Sequence, residues 1–357
     1  MNFIKLYELM DLQNLDGVLL SNLENPTSAI NLKYATGFGG SFGLALITKE
    51  VKLFFTDFRY RMIAKEQVSS EFDIIELSDG TTTVNDYIEK QNVKRLGFDK
   101  SISYGEFESL SKQLKTELVG MDKIFVKLRM VKTDKELTIM RRACEIADLA
   151  FSHICTFIKP GITENAIAEE LGRFMKTQGA DGHSFSPIIA SGPRGALPHG
   201  RATDKVIESG QLITMDFGCY YQGYASDITR TVGIGELDPK LVEIYNIVLE
   251  AQIAGVNAVK AGIKGQDVDK VCRDIIDSKG YAQNFGHGTG HGLGMLVHEG
   301  PSCGSKSTDI LEPGNVVTVE PGIYIDGFGG VRIEDDVLVL DGTHEVLTSS
   351  PKELIIL

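Results

Sequence analysis

The sequence predicts two domains of mixed type: a small α/β unit over residues 1–127, and an α+β unit over residues 128–357 built as an internal pseudo-two-fold repeat. Three observations predict this. Strand-like apolar runs alternate with amphipathic stretches up to Phe125. A helix, helix, hairpin pattern then recurs at a shift of 101 residues. Finally, Asp216, Asp227, Glu320 and Glu334 close or face apolar runs, where a soluble core has no place for unpaired charge. At 357 residues the chain also exceeds a usual single domain.

In the first unit, Gly17–Leu20, Gly43–Ile47, Lys52–Thr56 and Arg95–Phe98 are short runs rich in β-branched or aromatic residues and read as buried strands. Tyr60–Val68 and Thr83–Lys90 place apolar residues at helical spacing. The alternation predicts a small α/β domain with no ligand cluster. Asp57 and Arg59, at a strand end, read as a local ion pair.

A boundary falls between Phe125 and Lys132. Thr133-Asp134-Lys135-Glu136 matches a capping box, and Leu137, Met140, Cys144, Ala147, Phe151 and Ile154 follow at helical spacing. Pro160-Gly161 ends that helix. A second helix, with Ile167, Leu171, Phe174 and Met175 on its apolar face, runs to about Gln178. Moved by 101 residues without a gap, Ile158-Lys159-Pro160-Gly161-Ile162 lies over Val259-Lys260-Ala261-Gly262-Ile263, Phe174-Met175 over Ile275-Ile276, and Gly179 over Gly280.

Each half then offers a hairpin with two acids. Pairing residues 212–219 with 224–233 about the turn Tyr221-Gln222-Gly223 sets Asp216 opposite Asp227. Pairing 315–325 with 331–340 sets Glu320 opposite Glu334. Cross-strand partners share a face with Cβ atoms about 5 Å apart, and like charges so placed repel. Two divalent cations would neutralise the four negative charges; the bland alternative is two solvated strand faces. The 101-residue shift, found from the helices, carries Asp216 to within three residues of Glu320 and Asp227 to within six of Glu334, which favours convergence on a shared metal site. Gly286-His287-Gly288-Thr289-Gly290-His291 through Val297-His298-Glu299 adds three of the chain's seven histidines amid glycines that let backbone approach a ligand. His199 precedes the first acidic strand by a loop, whereas His153, His183 and His344 read as surface or core residues.

Composition narrows the classes. A net charge of -13 without a basic stripe argues against nucleic acid as partner. Five scattered cysteines without a CxxC pair fit a reducing compartment. Neither a leader pattern at Met1–Glu8 nor an apolar run of membrane-spanning length is found, so no membrane association and a cytoplasmic location are expected.

Asp216, Asp227, the loop ending in His298-Glu299, Val319-Glu320-Pro321-Gly322-Ile323-Tyr324 and Gly330-Val331-Arg332-Ile333-Glu334-Asp335 together resemble the metallopeptidases of the methionine aminopeptidase and prolidase family, whose fold is called pita-bread. The first unit resembles the creatinase-like N-terminal domain of the proline-specific branch. The resemblance implies two divalent ions bridged by Asp227 and Glu334, with Asp216 completing one site and His291 and Glu320 the other. One imidazole among four carboxylates is a hard donor set, so manganese is the expected ion, with cobalt or zinc as alternatives. It further implies a hydroxide shared by the ions, Glu320 as general base and then acid, and His199 and His298 as donors to the carbonyl and the tetrahedral oxyanion. His287 would line the substrate subsite, and Arg332 would steady the neighbouring carboxylates.

In the proline-specific branch, dipeptidases tend to carry an arginine shortly after the His-Glu pair; here Gly300-Pro301-Ser302 follows Glu299. The expected activity is therefore an Xaa-Pro aminopeptidase cleaving peptides with proline in the second position. Xaa-Pro dipeptidase is the alternative, and a non-catalytic binding or scaffold protein of the same fold is the reading from a different class. Relatives commonly dimerise through the N-terminal domain, so a homodimer is expected.

Overall fold

The computed structural model describes residues 1–357 apart from Asn25, Ser78, Asp79 and Asp122 and the side chains of Pro26, Thr27 and Ser28. It divides into two compact units, Met1–Arg129 and Met130–Leu357.

In the first unit β1 (Gly17–Leu23), β2 (Phe42–Thr48), β3 (Lys52–Thr56), β4 (Asp73–Glu76), β5 (Arg95–Phe98) and β6 (Glu117–Gly120) form one sheet in the order β4-β3-β2-β1-β5-β6. The helices α1 (Phe3–Leu12), α2 (Pro26–Thr36), α3 (Arg61–Gln67), α4 (Thr82–Lys90), α5 (Tyr104–Gln113) and α6 (Ile124–Met130) belong to the same part of the chain. The apolar runs of the central strands β1, β2 and β3 are continuous because both faces are covered. Val18, Leu20, Ala45, Ile47 and Phe54 pack into one core, and Leu19, Leu44, Leu46, Leu53 and Phe55 into another. Successive side chains point to opposite faces, so two cores produce a continuous hydrophobic run in place of alternation. Asp57 and Arg59 form the local ion pair, with Nη2 2.8 Å from Oδ2.

The second unit begins at α7 (Asp134–Phe157), whose N-terminus carries the full capping box of Thr133 and Glu136, and continues with α8 (Glu164–Thr177). Strands β7 (Gly182–His183), β8 (Ile188–Ser191), β9 (Gln211–Phe217), β10 (Cys219–Tyr221), β11 (Tyr224–Ala225) and β12 (Ile228–Ile234) complete its first half. The second half is α9 (Pro239–Ala258), α10 (Gly265–Ser278), β13 (Gly290–Gly292), β14 (Glu299–Cys303), β15 (Val316–Val319), β16 (Gly322–Ile325), β17 (Gly329–Arg332), β18 (Asp335–Val339) and β19 (His344–Val346). A displacement of 101 residues carries Glu164 onto Gly265, Thr177 onto Ser278 and Phe157 onto Ala258, so three helix boundaries coincide in the two halves. Each half fills its own core: Ile167, Leu171 and Met175 with Ile213 and Met215 in one, Val268, Cys272 and Ile276 with Val317 and Val319 in the other. No helix of the described residues is long and apolar enough to cross a membrane.

The two hairpins differ in how well arithmetic places them. In the second, Val319 pairs with Asp335 and Gly322 with Arg332, a register that sets Glu320 across from Glu334. In the first, Asp216 pairs with Thr229, so the expected opposition of Asp216 and Asp227 is corrected. The reason lies in the turn. Gln222 and Gly223 have φ of 49° and 82°, and Tyr221 pairs with Tyr224, so the connection is a two-residue hairpin loop with both central residues left-handed. The ladder is thereby displaced by two positions. A shift of two preserves the pleat, and Asp227 stays on the face that Asp216 uses.

Candidate metal centre

The five ligand candidates stand where regular pairing is interrupted. Asp216 is the last residue but one of β9, and Asp227 immediately precedes β12. Between them the chain must come very close to itself: a Cβ added to Gly218 would lie 1.9 Å from the Ser226 carbonyl oxygen, so only glycine fits. Glu320 and Glu334 fall in the gap between the β15/β18 and β16/β17 ladders. Backbone bonds lock these gaps together. Glu334 N–H donates to Thr229 O (3.1 Å), and Glu320 N–H donates to Thr289 O (2.7 Å), beside the strand that carries His291.

Asp227, His291 and Glu334 each offer a ligand-type atom, all within 4.8 Å of one another. His291 Nε2 lies 3.5 Å from Glu320 Oε1 and 3.7 Å from Asp227 Oδ2. Its Nδ1 lies 3.2 Å from Gly292 O. A carbonyl only accepts, so Nδ1 carries the proton and the Nε2 lone pair faces the two carboxylates. Burial pushes this imidazole down to about 4, which keeps it neutral. A lone pair directed at two carboxyl oxygens is satisfied by a proton on one of them or by a cation between them.

The carboxylates give the same answer. Asp216 Oδ1 and Asp227 Oδ1 are buried without a hydrogen-bond partner among the described residues. Burial, then the neighbouring acids, hold Asp227 and Glu334 well above the usual carboxylate range, and burial pushes Glu320 up to about 8. Orphaned carboxylate oxygens and an unprotonated imidazole are the donor set that a divalent cation satisfies. The residues present therefore fit the metal that the resemblance implies.

Around this cluster lies a hydrogen-bonded frame. Arg332, buried on β17, donates from Nη2 to Asp216 Oδ2 (2.5 Å), from Nε to Thr229 Oγ1 (3.1 Å), and from Nη1 to Tyr324 Oη (3.0 Å) and Pro198 O (3.2 Å). Thr229 Oγ1 in turn donates to Glu334 Oε2 (2.7 Å). His287 Nδ1 donates to Gly288 O (2.9 Å), so its Nε2 accepts from Tyr324 Oη (2.7 Å). Both ring nitrogens of His287 are thus engaged, and its ring offers the cavity a surface instead of a free donor. His298 is exposed, with its ring centroid 4.1 Å from that of His291, and His199 is exposed on the loop after β8. All nine residues singled out from the sequence line one cavity of about 1050 Å³.

Three residues of the frame escaped the sequence reading. Tyr324 was legible, because with Gly322 opposite Arg332 it sits one pleat away on the same face. Asp336, whose Oδ2 accepts from Asp227 N–H (3.0 Å) and Cys144 Sγ–H (3.3 Å), was signalled by a third acid beside Glu334 and Asp335 at the start of an apolar strand. Thr229 carried no signal of its own. Glu299, the neighbour of His298, turns away into a buried ion pair with Lys132 at 3.0 Å.

Residues 138–341 match metallopeptidase family M24, and residues 4–131 match the creatinase/prolidase N-terminal domain. Among solved structures, the chain is similar to an Xaa-Pro dipeptidase from Bacillus anthracis (46% identity, TM-score 0.95, covering 99% of this chain and 98% of that one). It is also similar to an X-Pro aminopeptidase from Thermotoga maritima (37% identity, TM-score 0.91, covering 98% and 100%). The Xaa-Pro dipeptidase of Pyrococcus horikoshii is 40% identical over 354 residues, 98% of this chain and 97% of that one. The chain belongs to metallopeptidase family M24, with a creatinase-type N-terminal domain ahead of a pita-bread domain.

Proposed function

We propose that this chain is an Xaa-Pro aminopeptidase, releasing the first residue of peptides whose second residue is proline. The names of its relatives share the Xaa-Pro bond. The observation that carries the choice of an aminopeptidase is the cavity. At about 1050 Å³ it reaches the upper end of the usual 300–1,000 Å³ for small-ligand pockets, and it extends from the acidic cluster to Ser302–Ser307, which leaves room for a chain longer than a dipeptide.

In this reading Asp216, Asp227, His291, Glu320 and Glu334 would hold two divalent ions. Manganese suits the hard donor set better than cobalt or zinc. When bound, such ions polarise the scissile carbonyl and provide a nucleophile from water at neutral pH. Glu320 takes the proton of the attacking water and delivers it to the departing proline nitrogen. His199 and His298 donate to the developing oxyanion. Arg332 fixes Asp216, and His287 walls the subsite. The protein in this reading is a cytoplasmic homodimer; its five free cysteines support the reducing compartment, and light scattering tests the dimer.

The dipeptidase reading has an observation in its favour. Arg201 and Lys306 line the same cavity, and among the described residues no carboxylate forms an ion pair with either, so both are available to a substrate's terminal carboxylate. Chromatography of the products from Ala-Pro-Ala and from Ala-Pro decides. Release of alanine from the tripeptide supports the proposal, and rapid cleavage of the dipeptide alone refutes it in favour of the alternative.

A further inference from the structure

A carboxylate outside the acidic cluster closes the loop that carries His199. Glu164 opens α8 and is 0% exposed. Its Oε1 accepts from Ser191 N–H (2.9 Å) and Ser191 Oγ (2.8 Å), and its Oε2 from Thr203 N–H (3.1 Å) and Thr203 Oγ1 (2.7 Å). Arg194 Nε donates to both oxygens, at 3.2 and 3.0 Å, while Arg194 Nη2 donates to Arg201 O at 2.6 Å. Ser191 and Thr203 are the two ends of the excursion, and His199 lies between them. Every one of these contacts goes to that single loop.

The second half has a parallel device. Asp269 on α10, 1% exposed, accepts from Thr289 N–H (2.9 Å) and from Arg273, which in turn holds Phe285 O (2.9 Å) and His287 O (2.8 Å). The 101-residue shift places Glu164 on Gly265, one helical turn before Asp269, so the same device is built from non-equivalent positions. In each half a helix-borne buried acid and an arginine hold a loop bearing a site histidine.

We infer that Glu164, acting with Arg194 through both ends of the 191–203 loop, is a positioning residue for His199 in the peptidase reaction. The inference rests on the role given to His199 above. Glu164 ties Ser191, at the end of β8, to Arg194 and Thr203 across the loop, and so adds to the Arg332 Nη1 bond to Pro198 O (3.2 Å) that holds the same loop beside His199. Displacement of a hydrogen-bonding group by about 1 Å costs on the order of 100-fold in rate.

The test is a double-mutant cycle on the manganese-loaded full chain, with rates normalised to folded, metal-containing protein. Glu164→Gln should lower kcat roughly 10- to 100-fold and change KM by less than about threefold. His199→Ala should lower kcat comparably, and the double variant should be no slower than His199→Ala within about threefold. In the metal-free protein, the imidazole proton resonances of His199 should shift in Glu164→Gln while those of His344 stay in place. Multiplied losses in the double variant, or an unchanged kcat in Glu164→Gln, overturn the inference. Full activity of His199→Ala overturns the role of His199, and this inference falls with it by a separately visible route. If Glu164→Gln does not fold, Thr203→Val removes the Thr203 Oγ1 bond to Glu164 (2.7 Å), together with the one Oγ1 accepts from Lys205 N–H (3.3 Å): a smaller loss that vanishes in the His199→Ala background supports the inference, and an additive loss or none refutes it.

Discussion

Arg332 donates to Oδ2 of Asp216 at 2.5 Å and leaves Oδ1 of that carboxylate buried without a hydrogen-bond partner among the described residues. One oxygen is thus fixed by the protein, and the other, in the proposed reading, would be open to a cation. The guanidinium achieves this because its planar fork also reaches Thr229 and Tyr324, which a single ammonium cannot do. Arg332→Lys should therefore keep the charge and lose the geometry, weakening manganese affinity or turnover about 10- to 100-fold. Titration calorimetry and kcat at saturating manganese distinguish the two effects; wild-type values in both would contradict the role given to the fork.

Glu320 combines burial, a place 3.5 Å from His291 Nε2 and a carboxyl pushed up to about 8. Burial keeps this carboxyl protonated in the metal-free chain, and a cation beside it would displace that proton and leave the carboxylate able to act as base. Glu320→Gln keeps the shape, removes the basic oxygen pair and should lower kcat by at least about 100-fold, with circular dichroism and thermal midpoint near wild type. Turnover within tenfold of wild type would assign the proton transfer elsewhere.

The legibility of this site followed local rules where they suffice. The capping box at Thr133 and Glu136, the paired helix ends and the opposition of Glu320 and Glu334 were readable because each depends on residues close in sequence or on a simple register. The Asp216 to Asp227 register was missed by two positions, since turn type rests on φ at Gln222 and Gly223, and a non-glycine at φ 49° is not signalled by composition. The Glu164 clamp was invisible for another reason. Its partners Ser191, Arg194 and Thr203 are ordinary polar residues whose convergence exists only after folding.

The raised carboxyl groups make a signed prediction about pH. Asp227, Glu334 and Glu320 hold protons in the folded, metal-free chain at pH values where the unfolded chain is ionised. The folded state then binds more protons than the unfolded one, so stability is fully present below the ordinary value of 4.5 for a glutamate and falls as pH rises towards about 8. The thermal midpoint of chelator-treated protein should accordingly drop between pH 5 and pH 8.5 by roughly several degrees. Saturating manganese should flatten the drop, because the cation replaces the protons. A midpoint that rises with pH in the chelated protein would show that the cluster is already ionised without metal.

The hairpin break that presents Asp227 depends on a missing side chain. At Gly218 a Cβ would stand 1.9 Å from Ser226 O, and this is backbone, which cannot step aside as a flexible side chain can. Gly218→Ala must therefore move the segment from Ser226 to Asp227, while Asp227 N–H is tied to Asp336 Oδ2 at 3.0 Å on its other side. The expected result is a loss of stability of about 1–3 kcal/mol, as for overpacking in a core, together with weakened manganese binding. Gly233→Ala is the matched control. Its added Cβ would meet the side chains of Ile356 and Leu237, which can reorient, so the change strains the same hairpin away from the acids. Chemical denaturation and calorimetric manganese titration of the two variants separate the effects. Gly218→Ala should lose metal affinity out of proportion to its stability, Gly233→Ala should not, and equal metal affinities would detach the close approach at Gly218 from the placing of Asp227.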